Sequence, residues 1–152
     1  MKKTSIKDVH DIQLKSIRVV SLNCAVNADY DKIEKDSLSI ETSIGNYGEV
    51  LNDYKGKTYL KTKIEATMED EIIFEIELVY EGICKSFKKV DKDEFEFFLE
   101  LQSIPMLWSY SRETINNMML KMNLQPILLP VLNITEIMKE MEKSKDGVGG
   151  EE

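Results

Sequence analysis

Lys57-Thr58-Tyr59-Leu60-Lys61-Thr62-Lys63-Ile64-Glu65-Ala66-Thr67-Met68-Glu69-Asp70-Glu71-Ile72-Ile73-Phe74-Glu75-Ile76-Glu77-Leu78-Val79-Tyr80-Glu81 alternates twice around one short polar break. Leu60, Thr62, Ile64, Ala66 and Met68 share one parity, and Ile72, Phe74, Ile76, Leu78 and Tyr80 continue the apolar face after the turn. Lys61, Lys63, Glu65 and Thr67 face the other way, with Glu71, Glu75, Glu77 and Glu81. A period of two over this length is an antiparallel hairpin with one oily face and one charged face. A three-residue loop pairs Met68 with Ile72. That register sets Lys63 against Glu77, a favourable pair, and Glu65 against Glu75, an unfavourable one unless a cation or partner sits there.

Upstream, Asp36 to Ile44 alternates cleanly, with Leu38, Ile40, Thr42 and Ile44 on one side. Gly45-Asn46-Tyr47-Gly48 and Asn52-Asp53 are expected to break that strand, with a linker to about Gly56. From Ile12 to Val26 the apolar parity changes twice: Ile12 and Leu14, then Ile17 and Val19, then Val20, Leu22, Cys24 and Val26. The phase changes predict a bulged or bent strand.

Downstream of Lys89 the period becomes about 3.6. Asp91 and Glu94 stand at capping-box spacing, and Phe95, Phe98, Leu99 and Leu101 form an apolar helix face. Pro105 predicts a kink near Ser103 to Pro105. The helix resumes through Leu107, Tyr110, Ser111, Thr114, Ile115, Met118, Met119 and Met122, and ends at Gln125-Pro126. The connector Ile127-Leu128-Leu129-Pro130-Val131-Leu132 is very apolar for a loop. Asn133 is a good N-cap for a second helix with Ile134, Ile137, Met138 and Met141 on one face. Strands followed by helices mean α+β: a four-stranded antiparallel sheet, expected as a meander, with a long kinked helix and a shorter C-terminal helix on one face. The domain is expected over 12–142, with a flexible N-terminus over 1–11 and a disordered acidic tail over 143–152.

The chain has 152 residues, 42% of them apolar, so one core needs neither disulfide nor metal. Asp plus Glu is 28 against 20 Lys plus Arg, a formal net charge of -8, which argues against nucleic acid. Cys24 and Cys84 make no disulfide framework and read as inert buried thiols. His10 is the single histidine and reads as solvated. No apolar run near the start is long enough to span a membrane, and no signal-peptide h-region is expected ahead of it. The expectation is a cytoplasmic protein, not an enzyme and without cofactors: HExxH, GxSxG, Walker A and GxGxxG motifs are all missing. Leu124, Ile127, Leu128, Leu129, Val131, Leu132, Ile134 and Ile137 crowd into fourteen residues. A small monomer buries all of them with difficulty, so a subunit interface or a binding groove is needed.

Leu107-Trp108-Ser109-Tyr110-Ser111-Arg112-Glu113 resembles the Leu-Phe-Pro-Tyr-Ala-Arg-Glu stretch in the long helix of SecB protein-export chaperones. Ile115, and the connector from Gln125-Pro126 to Leu132-Asn133-Ile134, follow at similar spacing, and Glu81-Gly82-Ile83 resembles the end of the family's fourth strand. The likeness covers roughly 12–142. It departs at Ser109, where the family has proline, and at Val19 and Asn23, which align with acidic motor-docking positions; Glu77 aligns with another.

The resemblance implies a homotetramer, a dimer of dimers, that holds unfolded clients in apolar grooves without ATP. Its partners are then the SecA export motor or an antitoxin. The client-binding residues expected are Leu38, Ile40, Phe98, Leu124, Ile127, Leu128, Val131, Leu132, Ile137 and Met141, with the second helix as a movable cover. Glu71, Glu75, Glu77 and Glu81 form the expected partner-docking row; the simpler reading is a solvated sheet face. The Met118, Met119 and Met122 stripe reads as core or dimer interface, and Tyr110 and Arg112 as structural. Two other readings remain open. One is a module for a small apolar ligand, with the connector as a lid. The other is a carboxylate enzyme, for which no pair stands out.

Overall fold

The computed structural model describes residues 9–27 and 37–146. Four strands form one antiparallel sheet: β1 (Ile12–Val26), β2 (Ser39–Asn52), β3 (Lys55–Met68) and β4 (Glu71–Ser86). Their spatial order is β1-β4-β3-β2. Only β2 to β4 are a meander; β1 pairs with the outer edge of β4, not with β2. Three helices follow, α1 (Lys92–Phe97), α2 (Ile104–Lys121) and α3 (Ile134–Asp146), with a π-helical turn over Phe98–Gln102 between α1 and α2.

The phase changes in β1 are two bulges, between Leu14 and Ser16 and between Val19 and Ser21. Each leaves one residue unpaired and resets which parity faces the core. The β3–β4 turn is tighter than expected. Met68 pairs with Glu71 across Glu69 and Asp70, both at positive φ (52° and 63°), the backbone of a two-residue hairpin turn. A bulge at Ile73 then restores the register, so Glu65 still faces Glu75 and Lys63 still faces Glu77. The bulge buries Ile73 and turns Ile72 out to 40% exposure.

β2 does not stop at Gly45. It runs through Gly45-Asn46-Tyr47-Gly48 in register with β3 and turns only at Asn52–Lys55. The glycines are there for contact. A Cβ on Gly48 would lie 2.8 Å from the Leu99 Cβ, and one on Gly56 would lie 2.5 Å from the Leu99 Cδ1. They let the π-helical turn settle on the sheet. There the Thr58 and Ser103 hydroxyls both lie 2.7 Å from the Leu99 carbonyl.

The long helix breaks earlier than Pro105 alone implies. Asp91 caps α1 by accepting from the Asp93 amide at 3.2 Å. The Ser103 amide reaches back five residues to the Phe98 carbonyl at 2.9 Å, and Pro105 sits in the first turn of α2, where its missing N–H costs nothing. α2 ends at Lys121, sooner than Gln125: Asn123 adopts φ 57°, and the Leu124 amide closes on the Met119 carbonyl at 2.8 Å. α3 runs to Asp146, past the expected end at 142. The tail over 147–152 and the first eight residues lie outside the described residues.

α1, the π-helical turn, α2 and α3 cover one face of the sheet. The main core joins Leu60, Ile64, Ile76 and Leu78 to Leu107, Trp108, Ile115 and Met119; a second cluster joins Ile12 and Cys84 to Phe95, Phe98 and Leu99. Burial pushes the Cys84 thiol up to about 12, which keeps it a protonated, unreactive core group. No described helix is long and apolar enough to cross a membrane.

Candidate functional site

The connector between α2 and α3 is held at its centre and bare on both sides. Pro126 and Pro130 fix φ and keep the chain extended. Leu129 points inward at 2% exposure, and the Trp108 Nε1 donates to the Pro130 carbonyl at 3.0 Å. Leu128 and Val131, on either side of that anchored pair, are 93% and 86% exposed. Exposure this complete at two large aliphatic side chains contributes nothing to the monomer's core. Asn133 caps α3, its Oδ1 accepting from the Glu136 amide at 3.2 Å.

The other expected client residues divide. Leu124, Ile127, Leu132, Ile137 and Leu38 are half-buried and pack against the main core. Ile40 faces Ala66 across β2–β3, on the helix-covered side, and is 39% exposed. Phe98 is not on a surface. It is 5% exposed in the second cluster, on the same buried face as Phe95 and Leu99, with the His10 ring 5.0 Å away. The Met141 side chain lies outside the described residues.

A cleft of about 450 Å³ between α1 and α3 was not anticipated from the sequence. Phe97, Leu101 and Met138 line it as apolar floor, and Asp93, Glu96, Glu100 and Glu142 as carboxylates. Its signal lies in the spacing: positions 93, 97, 100 and 101 recur on one helical stripe, beside the more apolar stripe of Phe95 and Phe98.

The open face of the sheet carries the expected docking row, reshaped by the Ile73 bulge. Glu71 now pairs with Met68, on the helix-covered side of the register, so it leaves the row. Glu77 takes the Lys61 Nζ at 2.9 Å, and that hydrogen bond and charge hold its carboxyl below the usual range. Glu75 faces Glu65, whose Oε2 lies 3.2 Å from the Lys63 Nζ. Glu81 is 5% exposed and saturated: Arg18 Nε and Tyr59 Oη each donate at 2.9 Å, and Lys57 Nζ lies 4.0 Å away. Burial opposes its ionisation, yet these hydrogen bonds and cations outweigh it and keep the carboxyl below its ordinary value. Glu81 is therefore a structural ion, and only Glu75 and Glu77 of the row remain open to a partner.

Comparison with known proteins agrees with this architecture. The family described as "Preprotein translocase subunit SecB" matches residues 5–145. The Orientia tsutsugamushi (strain Boryong) protein-export protein SecB is 23% identical over 121 residues, covering 80% of this chain and 74% of that one. The Thiobacillus denitrificans protein-export protein SecB is 20% identical over 124 residues, covering 82% and 81%. Among solved structures, the Mycobacterium tuberculosis Rv1957 SecB-like chaperone, in complex with a ChAD peptide from the HigA1 antitoxin, superposes with TM-score 0.70 at 12% identity, covering 81% of this chain and 91% of that one. Sheet, broken helix, apolar connector and family match converge on one statement: this chain belongs to the SecB family.

Proposed function

We propose that this chain is a holdase, which binds unfolded polypeptides through apolar patches without ATP and keeps precursors competent for Sec export. The observation that carries the reading is the pair Leu128 and Val131, exposed on either side of an anchored Leu129-Pro130. Each large aliphatic side chain gains about 1.5–3 kcal/mol when it is fully buried, enough for transient contact and too little for tight binding alone. Several such patches on one homotetramer make later contacts intramolecular, so avidity rises without any strong single site. Val19, Val20 and Leu22 of the edge strand β1, and Tyr110 and Leu120 of α2, stand 40% or more exposed and supply the apolar surface such an assembly needs. The four carboxylates of the α1–α3 cleft disfavour a neutral apolar ligand, so the small-molecule reading is the weaker one.

The test is light scattering of a chemically unfolded client diluted with and without this protein, in the absence of nucleotide. Suppressed aggregation near one tetramer per client chain is the expected result. No suppression across several clients overturns the general holdase reading. A second reading then takes its place, a chaperone dedicated to one antitoxin, favoured by the antitoxin peptide held by the Mycobacterium tuberculosis relative. Motor docking on Glu75 and Glu77 is tested with Glu77→Lys: binding of the SecA motor should be lost, and unchanged binding removes that role.

A further inference from the structure

The open face of the sheet carries two like-charged pairs on the same two strands, and the fold treats them differently. Toward the β3–β4 turn Glu65 faces Glu75, and the Lys63 Nζ lies 3.2 Å from Glu65. At the opposite end Lys55 faces Lys85, with Gln13 of β1 on the far side of Lys85. Among the described residues neither lysine has a carboxylate within 4.0 Å, although the chain carries 28 acidic residues against 20 basic ones. Arg18, Lys57, Lys61 and Lys63, further along that face, each have one. Cations directly opposite one another on neighbouring strands destabilise a sheet, and a single Glu in either place would have removed the cost.

An apolar group accompanies the unpaired cations. Phe87 follows directly on the end of β4, two residues beyond Lys85, and its ring is 67% exposed. The Lys15 Nζ sits 5.5 Å from the centroid of that ring. Tyr54, 51% exposed, borders the patch from the β2–β3 turn, its carbonyl accepting from the Ser86 amide at 2.9 Å. Lys88 and Lys89 are nearby but already matched, to Asp11 at 2.9 Å and Asp53 at 3.7 Å.

We propose that Lys55, Lys85 and Lys15, with the Phe87 ring, form a docking patch for an acidic peptide segment that carries an aromatic or aliphatic side chain. The patch spans three strands, about 10 Å, which suits three or four residues of extended peptide. A longer polyanion or a membrane plane would run on to Glu81, Glu77 and Glu75 along the same face and meet the net charge of -8. A short acidic segment ends before it reaches them. The patch is independent of the apolar connector and of the holdase reading.

The experiment is fluorescence anisotropy of the full chain with a fluorescein-labelled peptide, Glu-Asp-Glu-Phe-Glu-Asp-Glu, at low and moderate salt. The same measurement is made with the Lys-for-acid version of the peptide, with phosphatidylserine-rich vesicles and with oligothymidine. The acidic peptide should bind, weaken as salt rises, and lose about tenfold in affinity with K55Q/K85Q, the sum of two exposed ion pairs near their upper strength. Client holding by K55Q/K85Q should be unchanged. Lys85→Gln should also raise the melting temperature by about 1–3 °C, because it relieves a repulsion. The proposal is overturned if the acidic peptide does not bind, if K55Q/K85Q binds it as well as the parent, or if vesicles or oligothymidine bind more tightly. A fall in melting temperature for Lys85→Gln overturns it too, since the lysine would then be holding the sheet together.

Discussion

The β3–β4 hairpin and the connector between α2 and α3 are both rich in Ile and Leu, yet they handle water in opposite ways. In the hairpin Leu60, Ile64, Ile76 and Leu78 are fully buried, and on the other face Lys61 pairs with Glu77 and Lys63 with Glu65. In the connector a buried Leu129 alternates with a bare Leu128 and a bare Val131. Apolar content has therefore been put to two uses in one chain, cohesion in the sheet and contact in the connector. What separates them is anchoring: Leu129 and the indole hydrogen bond fix the connector, Ile127 and Leu132 rest partly on the core, and Leu128 and Val131 are presented to solvent.

Four variants break or sharpen that contrast, from the largest change in stability to the smallest. Leu78→Ala removes a fully buried side chain at the centre of the sheet and should cost about 2–5 kcal/mol by denaturant unfolding. Gly48→Ala drives a Cβ to 2.8 Å from Leu99 and should cost about 1–3 kcal/mol, with faster amide exchange across the π-helical turn. Glu81→Gln should cost about 1 kcal/mol at neutral pH and alter the acid limb. The carboxyl titrates below its ordinary value of 4.5 in the folded chain, so its contribution is complete above that pH and is lost as the pH falls through the folded-state value. Thermal melts at descending pH should fall less steeply for the variant than for the parent. Leu128→Ser with Val131→Ser should shift stability by less than about 0.5 kcal/mol while client holding collapses. A large loss of stability in that double variant would make the connector part of the core after all.

Local pattern made much of the fold legible. Alternation identified β3 and β4, the parity changes in β1 matched its two bulges, and Asn133 was found as a cap. What escaped was set by contacts distant in sequence. Gly45 and Gly48 look like a turn until Leu99, a third of the chain away, is seen resting on Gly48. The place of β1 beside β4 follows from pairing about 50 to 75 residues apart, which no local period encodes. The Ile73 bulge was hidden because Ile72 and Ile73 are chemically equal, so the sequence does not say which one faces inward. Of the candidate site, the exposed connector pair was legible as surplus apolar residues. Phe98, expected among the client residues, lies instead on the buried stripe with Phe95 and Leu99 that the helical period already grouped together.

Trp108 is the single tryptophan of the chain, and its indole N–H is bonded to the very segment that would receive a client. The molecule thus contains its own optical gauge. Emission excited at the indole band reports on one hydrogen bond, to the Pro130 carbonyl, with no competing fluorophore of its kind. A client that lifts the connector breaks that bond and exposes an indole now 4% accessible, which moves the emission to longer wavelength. A client that lies across Leu128 and Val131 without disturbing the anchor leaves the indole dry and the emission in place. Colour alone therefore distinguishes a hinged cover from a fixed rail, in the unlabelled protein and in real time.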